Sequence, residues 1–160
     1  MEPKRLTQLW LSRLPTKART PLRNAPVRVL LVDDSDLWRQ FVSVALQSQT
    51  KFQVIREVSD GAGAVQQARQ LQPDLIILDI GLPHLNGLEA ARLIRKQAPE
   101  SRILFLSQNH SWDIVEAALQ TGAVGYVVKA HAGKELMPAV ESVLGGQQFV
   151  SAGVSDHVYA

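Results

Sequence analysis

The chain has 160 residues, 46% hydrophobic and 20% charged, enough to bury the core of one globular domain. It contains no cysteine, which excludes disulfide frameworks, thiolate zinc sites and cysteine nucleophiles. No apolar run approaches the roughly 20 residues that span a bilayer, so the cytoplasm is the expected location.

Residues 1–26 carry Lys4, Arg5, Arg13, Lys17, Arg19 and Arg23 against Glu2, a surplus of +5 that leaves −3 for the rest of a chain of net charge +2. The basic balance therefore belongs to the leader and does not indicate a DNA-binding face on the domain. Pro3, Pro15, Pro21 and Pro26 interrupt this stretch, with apolar patches at Leu6, Leu9, Trp10 and Leu14. It reads as a mostly disordered arm holding at most a turn or two of helix near residues 6–14.

From Val27 short apolar runs alternate with amphipathic segments. VRVLLVD (27–33) reads as a buried strand, and Ser35 as the N-cap of a helix to about Ser48, with Leu37, Phe41 and Ala45 as its stripe and Val42 and Leu46 beside them. FQVIREV (52–58) is a more polar strand, as suits an edge. Asp60 caps a helix with Ala64, Val65, Ala68 and Leu71 as its apolar positions. Leu75–Leu78 is an unbroken apolar run bounded by Pro73-Asp74 and Gly81-Leu82-Pro83, the pattern of a parallel strand buried on both faces. Gly87–Gln97 forms a third helix with Leu88, Ala91 and Ile94 inward, stopped by Pro99.

ILFLS (103–107) is the fourth strand and 111–121 a short alanine-rich helix ending at Gly122. AVGYVVK (123–129) is the fifth strand. A last helix spans 134–144, in which Pro138 is acceptable only near the first turn, and Gly145-Gly146 stop it. Residues 147–160 are expected to be a short tail.

Five successive βα units predict an α/β fold, a doubly wound parallel sheet of order 2-1-3-4-5 with its switch point between the first and third strands. In that topology the C-terminal ends of strands 1, 3, 4 and 5 meet along one edge, bringing together Asp33-Asp34, Asp79, Ser107 and Lys129. Clustered carboxylates raise one another's pKa and need a cation to remain ionised. A hard divalent ion such as Mg²⁺ suits oxygen ligands. One carboxylate can then attack a phosphoryl group, with Lys129 and Ser107 contacting its oxygens.

These residues, in the stretches LLVDDS, LDIGLPHLNGLEAARLIR, FLS and GYVVKA, resemble the receiver domain of bacterial response regulators over residues 27–146. The resemblance implies that Asp79 accepts the phosphoryl group, and that Asp33, Asp34, Asp79 and the Gly81 carbonyl hold Mg²⁺. It further implies that Ser107 and Tyr126 form a switch pair, that Lys129 is the family's lysine, and that Pro83 and Gly87 shape the following loop. A histidine kinase or phosphotransfer protein is the implied phosphoryl donor, and a homodimer on activation an implied assembly. The wording around Asp79 is similar to the LuxR-type branch, but only 14 residues follow Gly146, where a helix-turn-helix domain needs about 60. Gln108 stands where the family often has a small residue, and its length is expected to narrow access to the site.

Two other readings stay open. A receiver-like binding module could act without phosphorylation, although such proteins typically lose an acidic residue or the lysine. A phosphatase of the haloacid-dehalogenase type would use Asp34-x-Asp36, leaving Asp79 unexplained. A flavin-mononucleotide binder is disfavoured, because Asp33-Asp34 would repel its phosphate.

Overall fold

The structure, a computed structural model, describes residues 25–154; the expected helical turns near Leu6–Leu14 lie outside the described residues. In chain order the elements are β1 (Val27–Val32), α1 (Asp36–Gln47), β2 (Phe52–Val58), α2 (Gly61–Leu71), β3 (Leu75–Leu78), α3 (Gly87–Gln97), β4 (Arg102–Ser107), α4 (Trp112–Gln120), β5 (Gly125–Val128), α5 (Ala132–Leu144) and β6 (Phe149–Val150). All strand pairs are parallel, in the order β2-β1-β3-β4-β5-β6. The doubly wound fold is present, with a sixth strand added to the five expected.

Side chains alternate across the sheet, and with both faces covered the central strand β3 is apolar and buried at every position. Ile76 and Leu78 of β3 join Leu30, Phe105 and Tyr126 beneath α2, α3 and α4, whose inward residues include Ala64, Ala68, Ala91, Ile94 and Ala118. Leu75 and Ile77 join Val29, Leu104 and Val127 beneath α1 and α5, which contribute Val42, Leu46, Leu136 and Val140. The small inward residues of α2 and α4 let both helices lie close to the sheet.

The helix starts follow the capping residues. Ser35 accepts from the Trp38 amide at 3.4 Å, Asp60 from Gly63 at 2.6 Å and Asn86 from Glu89 at 3.0 Å. Each bond satisfies one otherwise orphaned N–H. Ser111, at the start of α4, makes no side-chain capping bond.

Three expectations are corrected. Leu37 and Phe41 of the expected stripe do not face the sheet: they are 78% and 40% exposed, and the buried row is Val42 and Leu46, with Trp38 and Ala45 packed beside them. α1 carries two apolar rows about 100° apart, and periodicity alone does not select between them. α5 begins at Ala132, not Lys134, so Pro138 is its seventh residue and interrupts the helical bonding in the second turn. The site is solvent-exposed, where the carbonyl deprived of its N–H partner can be hydrated.

The third correction concerns the C-terminal part. β5 ends at Val128, with Lys129 opening a short 3₁₀ turn, and the expected tail is partly built into the sheet. Phe149 and Val150 pair with Gly125 and Tyr126. The Ser151 amide donates to the Tyr126 carbonyl at 2.9 Å, the Ser151 hydroxyl pairs with Glu135, and Val154 packs on the core. The packed domain thus runs eight residues past the Gly146 boundary.

Candidate phosphoryl site

The register that pairs Val32 with Leu78, Leu78 with Phe105 and Phe105 with Tyr126 levels the strand ends. Asp33 and Asp79 consequently emerge at one height, with Lys129 two residues further along its own strand end, and each of the three is about 7% exposed or less. The Lys129 ammonium lies 2.7 Å from Asp33 Oδ2 and 3.2 Å from Asp79 Oδ2. The other oxygen of each carboxylate is held by backbone: Ser35 N–H donates to Asp33 Oδ1 at 2.9 Å and Ile80 N–H to Asp79 Oδ1 at 2.8 Å.

Asp33, Asp34 and Asp79 each present a carboxylate oxygen, and these oxygens lie within 4.8 Å of one another. Asp34 is exposed, so the cluster opens from a buried floor to solvent. Such an all-oxygen set suits Mg²⁺, which accepts one or two carboxylates while keeping several waters. Gly81, the expected carbonyl ligand, lines the same cleft of about 370 Å³, as do Ser107, Gln108 and Lys129. The exposed Gln108 forms part of its wall. Asp36 is not brought in; its side chain is 92% exposed and pairs with Arg39, so an Asp34-x-Asp36 phosphatase pair is not assembled.

Burial pushes the Asp79 carboxyl up from its ordinary value; Lys129 acts against that rise and Asp33 adds to it. An acid with a raised folded-state pKa lowers stability once pH exceeds the unfolded value near 3.8, and the penalty is full above the folded value. Asp79→Asn should therefore raise the melting temperature in EDTA at neutral pH, while Lys129 keeps its Asp33 partner. The gain should shrink as pH falls toward 4, a trend readable by thermal melts across pH; a variant less stable at neutral pH would contradict it.

Ser107 is 1% exposed, and its Oγ accepts from the Asn109 backbone and side-chain N–H groups, both at 3.3 Å. The Tyr126 ring is fully buried, 6.2 Å from Phe105 between centroids. Its hydroxyl donates to the Asn109 carbonyl at 2.7 Å, and burial pushes its pKa up. The ring thus already occupies the inward position behind Ser107.

Sequence reasoning missed Asn109, Trp38 and Arg39. Asn109 ties Ser107 to Tyr126 through its backbone and amide. The Lys129 ammonium sits 4.9 Å from the Trp38 ring centroid, within cation–π range. Arg39 donates to the Asp33 carbonyl at 2.6 Å. Trp38 and Arg39 lie on α1 one turn after the acidic pair, so helical spacing from Asp34 was the available signal.

The loop after Asp79 is built from two three-residue turns, Leu82 N–H to Ile80 C=O and Leu85 N–H to Pro83 C=O, both 2.8 Å. The second requires His84 at φ 68°. Gly87 N–H returns to the Ile80 carbonyl at 2.8 Å, and a Cβ there would stand 2.0 Å from the Asp79 carbonyl oxygen. Only glycine permits that approach.

Comparison with known proteins agrees with this geometry. A family model for the response regulator receiver domain matches residues 29–141. The chain is 30% identical over 130 residues to the transcriptional regulatory protein MctR of Rhizobium johnstonii, covering 81% of this chain and 61% of that protein. A LuxR-family two-component response regulator from Aurantimonas superposes with a TM-score of 0.77 at 30% identity, covering 81% and 93%. The response regulator domain of Thermotoga maritima CheB gives 0.70 at 34% identity, covering 75% and 97%. The chain spans about 60% of the length of the first curated relatives it matches. Among the described residues no helix is long and apolar enough to cross a membrane. The relatives include regulators of transcription and, over 31% of its length, a protein-glutamate methylesterase of Thermotoga maritima, and the chain belongs to the response regulator receiver-domain family.

Proposed function

We propose that this chain is a phosphorylation-controlled receiver in which Asp79 takes a phosphoryl group from a histidine kinase or phosphotransfer protein. The observation that carries the reading is the placement of Asp79 at the floor of an open acidic cleft, ion-paired to Lys129 and beside Asp33 and Asp34. A carboxylate oxygen of Asp79 attacks phosphorus, a P–O bond forms, and the P–N bond to the donor imidazole breaks with its electron pair returning to nitrogen. Mg²⁺ held by Asp33, Asp34, Asp79 and the Gly81 carbonyl would supply positive charge for the phosphoryl oxygens.

Lys129 is positioned to exchange its Asp79 bond for a phosphoryl oxygen. Ser107 accepts from Asn109 and is hydrogen-bonded to the Tyr126 side chain, and by turning its O–H would exchange the Tyr126 oxygen for an oxygen of the same group. That turn would loosen Asn109 and, through it, the Tyr126 hydroxyl, making residues 107–126 a two-state element. The new surface suits self-association or a partner protein; direct DNA contact is not assigned to this chain. The cytoplasm, where kinase and regulator meet, is the corresponding location.

Incubation with acetyl phosphate and Mg²⁺ should add the mass of one phosphoryl group, and Asp79→Asn should abolish the addition because an amide is a poor nucleophile. Full labelling of that variant would overturn the assignment of Asp79. Beryllofluoride, which stands in for the phosphoryl group, should alter amide exchange across residues 107–130; change restricted to its immediate contacts would overturn the switch.

A further inference from the structure

A lysine ammonium is a compact point charge on a flexible four-carbon stem, and only its neighbours decide where it stands. Asp33 Oδ2 and Asp79 Oδ2 hold the Lys129 nitrogen at 2.7 and 3.2 Å. A third neighbour differs in kind: the centroid of the Trp38 ring lies 4.9 Å from the same atom. The face of an indole carries negative potential and attracts a cation, most strongly where water is kept away. Lys129 is buried, so this contact is of the shielded sort.

The ring also separates two spaces. On one side it lines the open cleft with Asp34, Asp79 and Lys129. It lines as well a narrow crevice of about 10 Å³, bounded by Asp33, Val42, Ile77 and Leu106, which is at the lower limit for a single water. The wall stands on a fixed support. Trp38 belongs to the first turn of α1, and its N–H is capped by Ser35. Ser35 N–H and the Arg39 guanidinium tie that turn to Asp33, and Phe41 meets the indole edge-on at 5.5 Å.

We propose that Trp38 is a positioning residue for phosphoryl transfer, its ring holding the Lys129 ammonium in place while that ammonium exchanges a carboxylate oxygen for a phosphoryl oxygen. This rests on Asp79 being the acceptor. Asp79 is altered by the reaction, since one of its oxygens bonds to phosphorus, whereas the ring is not. Trp38 therefore keeps one contact constant through a step in which the ionic partners change. Without it the flexible stem lets the charge drift from the phosphoryl oxygens, and the crevice opens to the cleft.

Fluorination of the ring tests the electrostatic part with little change of shape. In the full chain, Trp38 is replaced site-specifically by mono-, di- and trifluorinated tryptophan, each fluorine draining negative potential from the ring face. The rate of labelling by acetyl phosphate with Mg²⁺ should fall stepwise along the series, to about one tenth of the parent rate. Trp38→Phe should label faster than Trp38→Leu. The ε-methylene protons of Lys129, identified by their absence from Lys129→Met, should resonate upfield under the ring current and move back in Trp38→Leu. A labelling rate indifferent to fluorine number, in a parent that labels normally, would overturn the proposal and leave the ring a packing element only. Lys129 resonances unmoved in Trp38→Leu would overturn it as well. A parent that takes up no phosphoryl group would instead sink the reading of Asp79, and this one with it.

Discussion

Lys129→Met is expected to lower stability at neutral pH by about 2–3 kcal/mol in the absence of divalent cations. The ammonium is the shared partner of Asp33 and Asp79, and a thioether of similar length leaves two buried carboxylates facing each other. The Asp79 carboxyl, already pushed up by burial, should then rise further, so the loss is full above its folded value and diminishes as pH falls and the carboxyl takes up a proton. Mg²⁺ should restore more stability to this variant than to the parent, since binding to the native state alone stabilises by mass action. Urea unfolding at pH 7 and 4.5, with and without Mg²⁺, checks the pattern. A variant equally destabilised under all conditions would mean that the alkyl stem, not the charge, matters.

Gly87→Ala is expected to cost about 1–3 kcal/mol, the range for forcing an added carbon into a packed site, and to slow phosphorylation disproportionately. The new methyl would overlap the Asp79 carbonyl at 2.0 Å and Ile80 Cα at 2.7 Å, both backbone atoms that cannot rotate away. α3 must retreat or the strand end must move, and Asp79 moves with it. A displacement near 1 Å at a reacting group can cost about 100-fold in rate. Labelling by acetyl phosphate, timed alongside denaturant melts, separates the effects: normal labelling in a destabilised variant would show that the helix had given way instead. Gly61→Ala is a useful comparison, because its added carbon would meet the Leu85 carbonyl at 1.9 Å, on the far side of the same loop.

The strand ends were legible because each lies where an apolar run stops at a charged or hydroxyl residue, and the doubly wound topology says which ends converge. Asp33, Asp34, Asp79, Ser107 and Lys129 could thus be placed before any coordinates. What stayed hidden depends on rotation or on long-range pairing. α1 has apolar residues on two adjacent rows, and only the docked helix reveals that Trp38, Val42 and Leu46 turn inward. β6 is two residues long and owes its conformation to pairing with β5, leaving no local pattern to read. Asn109 acts chiefly through its main chain, which no side-chain motif records.

That sixth strand constrains how this protein can be recognised. By pairing with Gly125 and Tyr126, Phe149 and Val150 occupy the hydrogen-bonding groups along one margin of the sheet. The newly created border is only two residues long, too short to template a foreign strand. A ligand that docks by extending the sheet, as many peptide-binding domains allow, finds no adequate ladder on the β5 side. Partners approaching from that side must therefore engage side chains on α4 and α5, and their selectivity will reside in surface chemistry, not in main-chain complementarity.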